Sequence, residues 1–155
     1  MSPKWFGTAD PPTQAARRRI LINWPHILLA LICSTVVTSL TDWYFFGVLF
    51  HDRYAKTPGV WRTYRDKRDE YRSIAISEAM LAVSSLVFIL ACSGLGLVSA
   101  KPALLAAVTV WVMIPVPLLA TNAIFIPMDR LIVVSHSLGW LARLLVSALF
   151  VSWFL

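Results

Sequence analysis

Four long apolar stretches constrain this chain more than any other feature of its sequence. They cover residues of about 20–50, 73–99, 102–127 and 131–155. A helix that crosses the hydrocarbon core of a bilayer needs about 20 apolar residues. Because lipid offers no partner to exposed backbone groups, each stretch must form a complete helix rather than a strand of an open sheet. The sequence therefore predicts an all-α integral membrane protein, a four-helix transmembrane bundle running up, down, up and down.

The composition agrees with this fold and leaves no room for a separate soluble domain. Of the 155 residues, 58% are hydrophobic and 14% are charged, whereas a soluble domain carries about 25% charged residues. We expect a flexible N-terminal arm at 1–19 and one transmembrane domain at 20–155. Two prolines, Pro115 and Pro117, fall inside the third stretch and should kink its helix. The predicted spans are about 22–48, 73–98, 102–126 and 131–154.

The largest polar segment, residues 51–72, follows the first span. Its aromatic residues Trp61, Tyr64 and Tyr71 recur at helical spacing among charged residues. This pattern predicts a short interfacial amphipathic helix lying on the membrane surface. The alternative is that the segment extends the second span into water. In both cases its arginines should bind anionic lipid headgroups. The headgroup-binding residues we expect are Arg62, Arg65, Arg68 and Arg72.

The net charge of +6 does not indicate nucleic-acid binding, because the basic residues cluster where headgroups would lie. We expect a multi-pass protein of the bacterial inner (cytoplasmic) membrane. Its partners would be the bilayer, anionic headgroups, and other transmembrane helices in a homo-oligomer or a larger membrane complex. The positive-inside rule favours a cytoplasmic 51–72 loop, whereas the triplet at 17–19 favours the opposite orientation.

Three ionisable residues, Asp42, Glu78 and Arg143, lie inside the apolar stretches. On insertion scales each costs about 2.5–3.5 kcal/mol at the bilayer centre, so such residues usually pair or line a polar cavity. The alternating helix directions place Asp42, Glu78, Asn122 and His136 in one leaflet, with Arg143 nearer mid-membrane. Arg143 can then reach a carboxylate from either neighbouring helix, and its planar fork suits that pairing.

Helical spacing groups the polar residues into stripes that could face one another. On the first helix the stripe is Ser34, Thr38 and Asp42. On the second it is Glu78, Ser85 and Cys92, and on the fourth it is His136, Trp140, Arg143 and Ser147. The set could be hydrogen-bonded glue that fixes helix packing, or a ligand-binding or proton-handling site. The ligand-binding candidates are Asp42, Glu78, Asn122, His136, Trp140 and Arg143.

No catalytic motif, phosphate-binding glycine loop or close Cys/His cluster occurs in the sequence. We therefore favour a non-catalytic accessory or interaction subunit, or a homo-oligomer, and predict no cofactor or metal. Haem ligation by His136 or His51 is a less favoured alternative. One further alternative is an isomerase-like enzyme or a carrier for a small lipophilic compound, and another is a proton-coupled transporter. In an enzyme the catalytic candidates would be Asp42 and Glu78 as acid and base, His136 as proton shuttle and Arg143 as anion holder.

Residues near both ends of the domain form a pattern of their own. At the opening they are Ile22, Asn23, Trp24, Trp43, Tyr44 and Phe50, followed by the basic loop. At the close they are Asn122 to Phe125, Arg130, Leu131, Gly139, Arg143 and Trp153. The pattern resembles a family of small bacterial four-span membrane proteins, that of domain of unknown function 1761. This chain departs from it in Asp42, where a small or apolar residue is expected, and in its long N-terminal arm. The resemblance implies the four-span fold, and the family has no established activity to carry over.

Overall fold

The computed structural model describes residues 23–55 and 64–155, and within these ranges the chain is helical with no strand. Four continuous segments are long and apolar enough to cross a membrane: Trp24–Leu49, Lys67–Gly94, Ala100–Phe125 and Arg130–Phe154. They confirm the predicted all-α four-helix bundle. The elements are α1 (Trp24–Asp42), a π-helical segment (Trp43–Leu49), α2 (His51–Ala55), α3 (Lys67–Gly94), α4 (Ala100–Met113), α5 (Pro115–Phe125) and α6 (Arg130–Phe154).

Aspartates begin two of the long helices. The side chain of Asp66 accepts a hydrogen bond from the Asp69 amide at 2.8 Å, and that of Asp129 accepts one from the Leu131 amide at 2.7 Å. Each carboxylate satisfies an amide that the first helical turn leaves without a partner. α3 is continuous from Lys67 to Gly94. The residues directly after Lys67 are therefore the first turns of the helix that forms the second span.

The predicted surface helix is corrected on this point. From Lys67 onwards the basic segment extends the second span, which was the alternative interpretation of its pattern. Tyr71, expected on a separate amphipathic helix, lies on the exposed surface of α3. The physical reason is the cap at Asp66, which fixes the helix start six residues before the predicted span begins. Trp61 lies outside the described residues.

The turn between α3 and α4 explains the position of Gly96. The Leu97 amide donates to the Cys92 carbonyl at 2.8 Å, and the Gly96 amide donates to the Ser93 carbonyl at 3.2 Å. This paired arrangement ends a helix with one residue in the left-handed region. Gly96 fills that position with a φ of 70°, a conformation that costs glycine no steric strain.

The helix of the third span is interrupted at the proline where the sequence predicts a kink. α4 ends at Met113 and α5 begins at Pro115, with Ile114 between them at φ −119° and ψ −68°. Because proline has no N–H, the carbonyl four residues earlier loses its helical partner and the axis bends. One turn before the bend, the indole of Trp111 donates to the Ser137 carbonyl at 2.8 Å, which ties the bent helix to α6.

α6 is the central helix of the bundle, since it packs against α1, α3, α4 and α5. We call the membrane side with the α1–α3 and α5–α6 connections the loop side, and the side with the 95–99 turn the turn side. The apolar core lies in the turn-side half. It is formed by Ile27, Ala30, Phe88, Ile89, Cys92, Ala103, Ala107, Leu144, Ala148 and Val151.

Candidate functional site

An ion pair in the bundle interior joins the first helix to the last. The guanidinium of Arg143 on α6 donates through Nη2 to a carboxylate oxygen of Asp42 at the end of α1. Arg143 is 2% exposed and Asp42 is 7% exposed. Arg143 lies near the middle of α6, about 17 Å from its turn-side end at 1.5 Å per residue. Of the two carboxylates that the sequence offered to Arg143, the structure pairs it with Asp42.

The pair belongs to two stripes of buried residues on α1 and α6, and several residues of each stripe are small. On α1 the buried residues recur every three or four positions, and on α6 one set of the buried residues recurs every four positions. The α1 stripe is Ile27, Ala30, Ser34, Thr38 and Asp42, and the α6 stripe is Ser135, Gly139, Arg143, Ser147 and Val151. Small residues at such spacing are the usual means by which membrane helices pack closely.

Gly139 provides the space for this contact. A Cβ atom at Gly139 would lie 3.3 Å from the ring of Phe46 and 3.7 Å from Oδ1 of Asp42. The first distance is shorter than an ordinary van der Waals contact. Glycine at this position therefore lets the Asp42 carboxylate and the aromatic ring lie directly against the backbone of α6.

The helical geometry of the first span changes directly after Asp42. Residues Trp43–Leu49 form a π-helix, a rare conformation that is frequent at functional sites. Its Phe46 ring packs on the His136 imidazole with the ring centres 4.8 Å apart. This contact brings His136 to the loop-side edge of the ion pair. Neither Phe46 nor the π-helix was predicted, because aromatic residues at a span end also match a simple interfacial belt.

Glu78 lies near the level of the ion pair, in what we call the polar layer, but it has a different partner. Its Oε2 accepts a hydrogen bond from the Ser39 hydroxyl at 2.8 Å, and Glu78 itself is half-buried on α3. Within the described ranges no cationic group lies at ion-pairing distance from Glu78. Among the described residues, this layer thus holds the carboxylates of Asp42 and Glu78 and the single guanidinium of Arg143. The Ser39 hydroxyl donates to the Glu78 carboxylate. Sequence reasoning did not identify Ser39 as that donor.

The α6 stripe differs from the predicted one at two members, each of which is shifted by one position. Arg143 and Ser147 face the interior as expected, but their companions are Ser135 and Gly139. His136 and Trp140 are half-buried at the edge of the packed face. The packing of α1 against Gly139 selects this register, because the helices approach most closely where no side chain intervenes.

Asn122 lies on α5 and is half-buried. No side-chain hydrogen bond joins it to the other candidates among the residues described, so its expected place in the polar set stays a prediction. The ligand-binding roles of Glu78, His136 and Trp140 stay predictions as well.

The arginines expected at the headgroups surround the start of α3 on the loop side. Arg65, Arg68 and Arg72 are exposed and line a shallow surface depression with two aspartates, while Arg62 lies outside the described residues. Nearby, Arg53 of α2 pairs with Asp129 at 3.7 Å. This contact connects the short helix after the first span to the start of α6.

The histidines and acids do not gather into a metal site in the part of the chain that the structure describes. His51 is exposed on α2, and His136 is half-buried against Phe46. Haem ligation by either residue stays a prediction. What the side chains offer chemically is a buried ion pair, a carboxyl group with a hydroxyl donor, and an imidazole packed on an aromatic ring.

The fold and site define the class of protein: a multi-pass integral membrane protein with an ion pair in the interior of its helical bundle. Comparisons with protein-family models, with curated proteins and with solved structures found no match. The resemblance to the family of domain of unknown function 1761 therefore stays a prediction.

Proposed function

We propose that the protein is a non-catalytic interaction subunit, which contributes a small rigid bundle to a homo-oligomer or a larger complex in the bacterial inner membrane. The observation that carries this proposal is the partner of Arg143. Its charge is neutralised by Asp42 of the same chain. The pair lies between two packed helices, where polar groups that bond across the interface help to fix helix packing.

The outer surface supports the same proposal. Large apolar side chains are exposed on every span, and α6 is the most buried of the four described spans, with 39% of its apolar window buried. Examples of exposed residues are Leu40, Val87, Leu105, Val112 and Ile124. A membrane protein can cover such faces with lipid or with partner helices. Among helices already in lipid, association rests on packing and interhelical hydrogen bonds.

Native mass spectrometry of the protein, extracted from its own membrane in a mild detergent, tests this proposal. A multiple of the chain, or the chain with a further membrane protein, supports it. A monomer that carries a small lipophilic molecule contradicts it.

A matched variant sharpens the test. The double variant Asp42→Asn/Arg143→Met removes both charges of the internal pair while keeping side chains of similar size. If the pair acts only in packing, a folded double variant still assembles. If the pair acts on a substrate, the folded double variant loses the bound molecule.

A carrier or isomerase-like enzyme for a small lipophilic compound is the second candidate. The observation that favours it is Glu78, a carboxyl group in the membrane with Ser39 as its hydrogen-bond donor and no arginine or lysine partner among the described residues. Ionisable residues inside membranes often act in binding or proton transfer. In a proton-coupled transporter the same carboxyl group would carry the proton. Loss of a copurified compound from a folded Glu78→Gln variant would support this candidate.

A further inference from the structure

Four buried polar side-chain atoms have no hydrogen-bond partner within the described residues. One is the hydroxyl of Thr35 on α1, a residue that is half-buried as a whole. The other three are Nη1 of Arg143 and the hydroxyls of Ser147 on α6 and Ser85 on α3, and each of these three residues is at most 2% exposed. Leaving such a group without a partner costs about 1–3 kcal/mol, so three of them in one small bundle require an explanation.

The three groups lie at similar depths on two helices that pack against each other. These two helices, α3 and α6, run in the same direction. At 1.5 Å per residue, Arg143, Ser85 and Ser147 lie about 17, 14 and 10 Å from the turn-side ends of their helices. Because a helical side chain leans toward the helix N-terminus, the Arg143 guanidinium lies closer still to Asp42 and the loop side. The unpaired groups thus continue the polar layer of the ion pair deeper into the membrane.

The run of unpaired groups ends toward the turn side. Ile27, Ile89 and Val151 are fully buried there and belong to one apolar cluster. They separate the hydroxyl of Ser147 from the shallow turn-side cleft that Ser93 and others line. Most buried polar residues therefore lie between the loop side and a level just beyond the middle of the bundle, whereas the apolar cluster lies in the turn-side half.

We infer that a short chain of water molecules fills this polar region, entering from the loop side beside Asp42 and ending at the apolar cluster. The chemistry of the three groups selects water. The Arg143 nitrogen can only donate, so its ligand must accept, whereas a serine hydroxyl both donates and accepts. Asp42 already neutralises Arg143, so an anion added as the acceptor for Arg143 would have no compensating charge. Buried water typically makes about three hydrogen bonds to groups of this kind.

This inference goes beyond the role of an interaction subunit, because it gives the interior aqueous access from a single side of the membrane. Asp42 and Arg143 would then exchange protons with the loop side alone. The carbonyl or hydroxyl group of a small lipophilic molecule could satisfy part of the same set. The experiment below distinguishes such a molecule from water as the hydrogen-bond partner of these groups.

Solid-state NMR of the unmodified chain in bilayers, with magnetisation transferred from water to protein, tests the inference. We expect the signals of Arg143, Ser85 and Ser147 to build up several-fold faster than those of Ile89 and Val151. Equally slow build-up at all five residues would overturn the inference. A copurified small molecule that native mass spectrometry detects, and that is lost in Arg143→Lys, would overturn it as well.

A pair of neighbouring serines provides an independent stability readout. The hydroxyl of Ser85 is buried without a partner, whereas that of Ser84 bonds the Met80 carbonyl of its own helix at 3.1 Å. If water binds Ser85, the Ser85→Ala variant unfolds at a lower temperature than Ser84→Ala. A Ser85→Ala variant that unfolds at the same or a higher temperature contradicts bound water, since removing a dry, unpaired hydroxyl relieves a penalty.

Discussion

Replacing Asp42 with asparagine should destabilise the bundle more than any other single change to its polar residues. Asparagine keeps the size of the side chain and can accept one hydrogen bond, but it removes the negative charge. Arg143 is 2% exposed and makes its only ion pair in the described chain with Asp42. The variant therefore leaves a buried guanidinium without a compensating charge.

The expected magnitude follows from this burial. Removing one partner of a buried ion pair costs about 3–5 kcal/mol, most of it from the charge left behind. Replacing both partners with uncharged groups of similar volume is often close to neutral. We therefore expect Asp42→Asn to lose about 3–5 kcal/mol, and the double variant Asp42→Asn/Arg143→Met to recover most of that loss.

The free energy of unfolding can be measured by reversible denaturation in mixed SDS and mild-detergent micelles, followed by far-ultraviolet circular dichroism. Glu78→Gln is the matched control, since this acid has a serine donor and no cationic partner among the described residues. Its loss should stay below about 1 kcal/mol, the usual range for an interhelical hydrogen bond in a membrane. A double variant that loses the sum of its two single losses would refute the reasoning, because no coupling would then join the two residues.

Three further predictions follow from other contacts. Gly139→Ala should destabilise by about 1–3 kcal/mol in the same unfolding assay, because its Cβ would meet the Phe46 ring at 3.3 Å, and overpacking has that range. Gly94→Ala, with nothing within 4 Å of the new Cβ, should be neutral or stabilising, and an equal loss in both variants would contradict the packing argument. Trp111→Phe should lose about 0.5–1.5 kcal/mol with its indole hydrogen bond, and unchanged stability would contradict a role for that bond. Replacing the three exposed arginines at the start of α3 with glutamine should weaken binding to anionic vesicles by about 1 kcal/mol for each arginine, and binding that does not respond to salt would contradict the headgroup role.

The spans and the bend of the third helix could be predicted from the sequence because lipid makes the rules strict. A helix must satisfy its own backbone and match the membrane thickness, so the length of each apolar run predicts a span, although the helix of the second span begins earlier than its run. Pro115 lacks a backbone N–H whatever its environment, so it interrupts the helical hydrogen bonds in lipid as it does in water. That Arg143 pairs with a carboxylate could also be expected, since a charge inside the bundle needs a partner, but the sequence left the choice between Asp42 and Glu78 open.

The arrangement of the site could not be predicted from periodicity alone. Ser135 and Gly139, rather than His136 and Trp140, face α1, because the glycine gives the closest approach and this depends on the neighbouring helix. The π-helix after Asp42 has more residues per turn than an α-helix. Phe46 therefore lies against His136 of α6, a position that a period of 3.6 residues does not predict. The start of α3 at Lys67 depends on the cap that the Asp66 side chain forms. The sequence offers this cap in a segment whose aromatic and charged residues also match a separate surface helix.

The most direct test of the account is the distance between Arg143 and Asp42 in a bilayer. Solid-state NMR can measure the dipolar coupling between the guanidinium nitrogens of a ¹⁵N-labelled Arg143 and the carboxyl carbon of a ¹³C-labelled Asp42. The ion pair predicts a strong coupling, corresponding to nitrogen and oxygen atoms within about 4 Å of each other. No detectable coupling in the folded protein would contradict the claim that Asp42 neutralises Arg143 and joins α1 to α6.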